Sequence, residues 1–152
     1  MHKESGDVKI DGVRGITTIE SKTGQMDLRR LGMLEIRDAN GNLTIVDAAS
    51  ARIHSRGGNL RLSGVKGDAV IDNEAGEIIL SRIGGSVDVR DTSGQIRADD
   101  TGPLTIHDTS GDITVPRPAS LNVVAKESGQ IAAGEIRGAV AVPVGFKVKR
   151  LK

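Results

Sequence analysis

Eight glycines recur along the chain at steps of 17 or 18 residues: Gly6, Gly24, Gly41, Gly58, Gly76, Gly94, Gly111 and Gly129. A fixed short period of this kind specifies a stack of equivalent coils, because one coil cannot bury an apolar face alone and must pack on its neighbours. The period therefore predicts an all-β, single-stranded β-solenoid of about eight coils over residues 1–142, followed by a C-terminal cap and basic tail over 143–152.

Counting each glycine as position zero, position +2 holds Val8, Met26, Leu43, Leu60, Ile78, Ile96, Ile113 and Ile131. Position +4 holds Ile10, Leu28, Ile45, Leu62, Leu80, Ala98, Val115 and Ala133. Between them, +3 is mostly polar or charged. This period-two alternation marks a strand with one face buried. A third inward column is expected at +7: Val13, Leu31, Ala48, Val65, Ile83, Thr101, Pro118 and Ile136. A small residue and a second strand follow. In the coils starting at Gly6, Gly58, Gly76 and Gly129 the next apolar pair is Thr17/Ile19, Ala69/Ile71, Val87/Val89 and Val140/Val142. In the other four it comes one residue earlier: Leu34/Ile36, Ala51/Ile53, Leu104/Ile106 and Leu121/Val123. A one-residue slip inside a strand would turn every side chain over, so the extra residue belongs in the turn before the second strand. In the Gly111 coil it falls later, around Val124-Ala125-Lys126.

About five inward residues per coil supply ample gross driving force, at roughly 1.5–3 kcal/mol for each large side chain fully buried. That core has to be aliphatic, because Phe146 is the only aromatic residue. Eight coils stacked at about 4.8 Å give a rod about 35 Å long.

Position +1 is polar throughout: Asp7, Gln25, Asn42, Asn59, Glu77, Gln95, Asp112 and Gln130. In-register polar side chains can bond from one coil to the next, as amides do in cross-β stacks, or can bond their own turn. This column is read as a structural ladder, and the glycine before it as the supplier of positive φ. Asn42-Leu43-Thr44 matches a glycosylation sequon but is assigned to the ladder.

Few residues point to chemistry. Asp91 and Asp108 hold corresponding turn positions in adjacent coils, with Asp88, Asp99 and Asp100 close in sequence. Stacked like charges repel unless a cation or donors intervene, so a Ca²⁺ site or a carboxylate pair for glycoside chemistry is the sharper reading. The favoured reading is that these are turn residues capping backbone amides. His54 and His107 share a column three coils apart, too far for one metal, and His2 lies near the terminus. No catalytic residue, metal site or cofactor is expected. Cysteine is absent and the net charge is +1 with both signs interspersed, which gives no nucleic-acid footprint. No run of residues is long and apolar enough to span a membrane as a helix, and no leader is visible.

Phe146 is expected to cover the open apolar end of the stack. Lys147, Lys149, Arg150 and Lys152 follow it. A charged end strand discourages edge-to-edge aggregation; attraction to a membrane surface is the sharper reading.

The phrases Ser5-Gly6-Asp7-Val8, Ser93-Gly94-Gln95-Ile96, Ser110-Gly111-Asp112-Ile113 and Ser128-Gly129-Gln130-Ile131 resemble a bacterial family of adhesin-type β-helix domains built on Ser-Gly-Asp repeats, a family without assigned function. A weaker resemblance is to bactofilins, short-coil β-helices that polymerise end to end. The first resemblance implies a right-handed β-helix at the cell envelope or outside the cell. It implies no catalytic residues. The expected function is a non-catalytic structural or interaction rod that meets a protein or cell-surface partner through its flat faces or ends. The alternatives are an end-to-end scaffold and a polysaccharide-active enzyme.

Overall fold

The computed structural model describes residues 2–151, and the side chains of all of these but His2, Lys3, Lys22, Asp38, Ala39 and Ala125. Among them there is no helix. Ten stretches of strand run β1 (His2–Lys3), β2 (Val8–Asp11), β3 (Ile16–Ser55), β4 (Leu60–Val65), β5 (Ala69–Ile83), β6 (Val87–Val115), β7 (Pro118–Ala125), β8 (Ile131–Ala133), β9 (Val140–Ala141) and β10 (Val148–Arg150). Several are longer than one side of a coil. The 40 residues of β3 run without a break through successive corners of the solenoid, including those at Arg30 and Asp47. Every pairing between these strands is parallel, each coil lying on the next.

The register follows the glycine period. On the first side Leu43 pairs with Leu60, Leu60 with Ile78 and Ile78 with Ile96. On the second side Ala51 pairs with Ala69 and Ala69 with Val87. A narrow third line joins Ala48, Val65, Ile83, Thr101 and Pro118. The columns Leu28, Ile45, Leu62, Leu80, Ala98, Val115 and Ile19, Ile36, Ile53, Ile71, Val89, Ile106 are all buried. The slip expected in the Gly111 coil is present as an irregularity after Ile106: Ile106 pairs with Val123, but His107 pairs with Ala125.

The end coils depart from the predicted inward pattern. Val13 is 37% exposed and Val140 45% exposed, because an end coil has a neighbour on one side only. The C-terminal tail is more than a cap. β10 lies parallel on β8, with Val148 opposite Ile131 and Arg150 opposite Ala133, so it forms the first side of a further coil. In that register Phe146 occupies the place of the repeat glycine, and it packs half-buried against the core. Lys149 and Arg150 on this strand, and Lys147 just before it, are exposed, whereas Lys152 lies outside the described residues.

The repeat glycines answer two demands. Gly111 has φ +133° and Gly94 φ +146°. More restrictive is the space around them: a Cβ on Gly111 would fall on the carbonyl oxygen of Gly94, and one on Gly94 on the carbonyl oxygen of Gly76. A second left-handed column stands at position +6 and is built mainly without glycine: Gly12, Arg30, Asp47, Gly64, Arg82 and Asp100, with φ between 51° and 79°. Its regularity ends at Arg117, which precedes Pro118; a following proline pushes a residue towards extended geometry.

The two columns predict opposite outcomes for substitution. Gly111→Ala is expected to destabilise the fold by more than about 3 kcal/mol, since backbone strain and a backbone clash act together. Gly12→Asn, with open space at its Cβ and φ +79°, is expected to change stability by less than about 1 kcal/mol. Urea denaturation of both variants checks this.

Candidate functional site

The recurring Ser-Gly-Asp phrase divides into three separate tasks. The residue before the glycine uses its hydroxyl to reach the preceding coil: Ser93 Oγ donates to Glu74 O at 3.2 Å, and Ser110 Oγ to Thr92 O at 3.2 Å. The glycine allows the backbones to close up. The residue after it accepts from the following coil: Asn42 Oδ1 takes the Asn59 N–H at 3.0 Å, and Asp112 Oδ1 takes the Gln130 N–H at 2.9 Å. Asp7 and Asn59 do the same for Gln25 and Glu77. These contacts bond each coil to the next along the column. The rungs run from side chain to backbone, and they use the short Asp and Asn side chains.

A polar column that the sequence reading missed lies three residues before each glycine. Ser21, Ser55, Asn73, Asp91, Asp108 and Lys126 all occupy it, and all are buried. The signal was available. Period-two alternation through Ile71, Val89 and Ile106 continues to Asn73, Asp91 and Asp108 and puts them inside, but an apolar template stops one step short. The early members serve their own corner: Ser55 Oγ donates to Gly57 O at 3.1 Å and Asn73 Nδ2 to Ala75 O at 3.0 Å.

Asp91 and Asp108 are therefore core residues, 5% and 2% exposed. Asp91 Oδ1 accepts from Asn73 Nδ2 at 3.1 Å, and its carboxyl also takes the amides of Thr92 and Ser93, the local capping expected of it. Asp108 Oδ2 meets Lys126 Nζ at 2.5 Å, and the same nitrogen donates to Gly111 O at 2.6 Å. Both side chains of this ion pair are sealed from solvent, at 0% and 1% exposure. The irregularity after Ile106 makes the pair possible, because the extra residue brings Lys126 rather than Ala125 into the column. Among the described residues, one oxygen of each acid, Asp91 Oδ2 and Asp108 Oδ1, has no hydrogen-bond partner, nor does Asn73 Oδ1. With one lysine for two acids the cluster is short of one positive charge, and a proton supplies it at least cost in a dry interior. Burial, and then the charge on Asp108, push the Asp91 carboxyl up to about 7, against the weaker pull of its hydrogen bonds.

The remaining expected residues do not gather. Asp99 is tied to Arg117 by paired contacts of 3.0 and 2.9 Å that hold its carboxyl below the usual range. Asp11 and Arg30 repeat that geometry between the first two coils. Asp100 sits exposed at the left-handed corner, and Asp88 lies between the buried Val87 and Val89 on the outward side. His54 Nδ1 lies 3.5 Å from Asp72 on the outer second side, in line with Arg90 and His107. Among the described residues no three His, Cys, Asp or Glu side chains are grouped to hold a metal ion. The larger exposed apolar side chains of the second side, Ile16 and Met33, line a shallow groove with Glu35, Arg52 and Val70.

The model of one protein family, described as Toastrack DUF4097, matches residues 1–139. No curated protein matches the chain, and no solved structure does.

The buried acids make stability respond to pH. A carboxyl whose folded pKa is raised contributes stability that is complete below the unfolded value of 3.8 and is lost as pH rises through about 7. Asp11, Asp27 and Asp99 are shifted the other way, so their contributions fade only as pH falls below the usual carboxylate range. Asp91→Asn is accordingly expected to stabilise the protein by about 2–4 kcal/mol at pH 8.5 relative to its effect at pH 5. Denaturant titrations of both proteins across this interval check the slope.

Proposed function

We propose that this chain, which belongs to the Toastrack DUF4097 family over residues 1–139, is a non-catalytic structural or interaction rod, an adhesin-like module that meets a protein partner through its flat outer sides. The family description assigns no activity. The observation that carries the proposal is the burial of Asp91 and Asp108. The one stacked carboxylate pair that had suggested glycoside chemistry faces the core, where a polymer chain does not reach it. Outside, the coils present columns of mixed charge and short polar side chains, broken by exposed Ile16, Met33 and Val70 on the second side. A repeating surface of this kind suits extended contact with another macromolecule more than enclosure of a small substrate.

A second reading, an end-to-end scaffold, draws on β2, which among the described residues pairs with β3 alone. An unpaired parallel edge is a template for another strand.

Three measurements separate these readings. Incubation with a panel of bacterial polysaccharides is expected to release no new reducing ends and no unsaturated products; turnover lost in Asp91→Asn would overturn the non-catalytic reading. Light scattering is expected to give a mass that does not rise with concentration, whereas filaments in electron micrographs would favour the scaffold. Saturable binding to arrayed envelope proteins is expected, weakened at least about tenfold by Met33→Glu, since a charge at an apolar contact costs a kcal/mol or more. Unchanged binding would remove the second side from the proposal.

A further inference from the structure

Lys126, Asp108 and Asp91 form a set whose members are each unusual and whose combination is chemically specific. A primary amine lies 2.5 Å from a carboxylate oxygen. Both groups are sealed in the core. A second acid stands one coil away in the same column, close enough that its ionisation is opposed by the charge on Asp108. The acids each keep an unpartnered oxygen. Gly111 O fixes the amine from another side at 2.6 Å.

We propose that Lys126 and Asp108 condense to an intramolecular amide bond in the folded protein, with Asp91 carrying the proton. The folded chain holds the amine against the carboxyl group and keeps bulk water away, two conditions that lower the barrier to acyl transfer. The buried ammonium–carboxylate pair is costly in a dry interior. Moving one proton from Lys126 to Asp108 leaves a neutral amine beside a neutral acid. The amine nitrogen then attacks Cγ of Asp108, and the N–Cγ bond forms as Asp91 gives its proton to the carbonyl oxygen. The nitrogen releases a proton to Asp91. Asp91 passes it to one of the two hydroxyls, the Cγ–O bond breaks, and one water leaves; the remaining hydroxyl returns its proton to Asp91 as the amide carbonyl forms. The sum is an ammonium and a carboxylate converted to an amide and a water. No oxidant, reductant or co-reactant is consumed, and Asp91 ends as it began.

The product fits the same surroundings. The amide N–H can keep its bond to Gly111 O, and the amide oxygen gives the Asp91 proton a neutral acceptor in place of a charged one. The link would tie the corner of the Gly94 coil to that of the Gly111 coil, beside the irregularity that interrupts their pairing after Ile106.

Intact-mass spectrometry of the purified full chain tests this directly. The expected mass is one water below that of the sequence, with a branched proteolytic fragment joining the peptides that contain Lys126 and Asp108. A folded protein that keeps its full mass after prolonged incubation would overturn the proposal. So would a water loss mapped instead to Asp11-Gly12 as a succinimide. Asp91→Asn preserves the shape and the column's hydrogen bonding but cannot carry the proton, and its link is expected to form about a hundredfold more slowly or not at all. Formation at the wild-type rate in folded Asp91→Asn would remove Asp91 from the reaction. Lys126→Arg keeps the charge without the nucleophile and is expected to show full mass; the same water loss in that variant would also overturn the assignment.

Discussion

Parallel pairing of each coil on the last sets a single spacing for the whole protein, and every other feature has to accommodate it. Backbones of successive coils lie a strand spacing apart even at the corners, where a side chain at position zero would fall on the carbonyl below. Glycine is the only residue that meets this demand. The residues on either side of it then convert the close approach into hydrogen bonds, Ser reaching back and Asp or Asn reaching forward. The inward columns follow from the same spacing, since aliphatic side chains of similar length stack on themselves without gaps.

The corner at position +6 meets a milder version of the problem. It needs a left-handed residue but leaves room for a side chain, so Arg30, Asp47, Arg82 and Asp100 are accepted there. That freedom allows charge to be placed on an edge. Arg30 reaches Asp11, and Arg117, one corner further down the same line, reaches Asp99. These pairs are exposed and contribute little to stability.

Much of this was legible from the residues alone. The period, the parallel register, the alternation and the placement of the 17-versus-18 slip all follow from which side chains are apolar, and burial acts on that property. What escaped were features that depend on backbone dihedrals or on polar side chains in apolar places. The +6 column mixes Gly, Arg and Asp, so no residue type announces it. The column at Asn73, Asp91, Asp108 and Lys126 reads as a run of turn residues until the strand is followed one step further inward. Lys126 in particular enters the core only because the pairing shifts after Ile106, and a one-residue shift in a strand is where sequence pattern gives the weakest guidance. Phe146 as the lone aromatic suggests a cover for an end, but its place at the zero position of another coil needed the pairing of Val148 with Ile131.

The dependence of each glycine on the carbonyl directly beneath it bears on how such a chain can change length. Removing or adding a few residues within a strand would bring a side chain onto a glycine oxygen, and an odd number would turn the strand's inner residues outward; a turn absorbs no more than the single residue that separates the 17- and 18-residue steps. Removing a whole coil would bring one glycine down onto another and leave every column continuous. Growth and shortening of this rod are therefore expected to come in units of a complete turn, so that homologous chains would differ in height while sharing one cross-section.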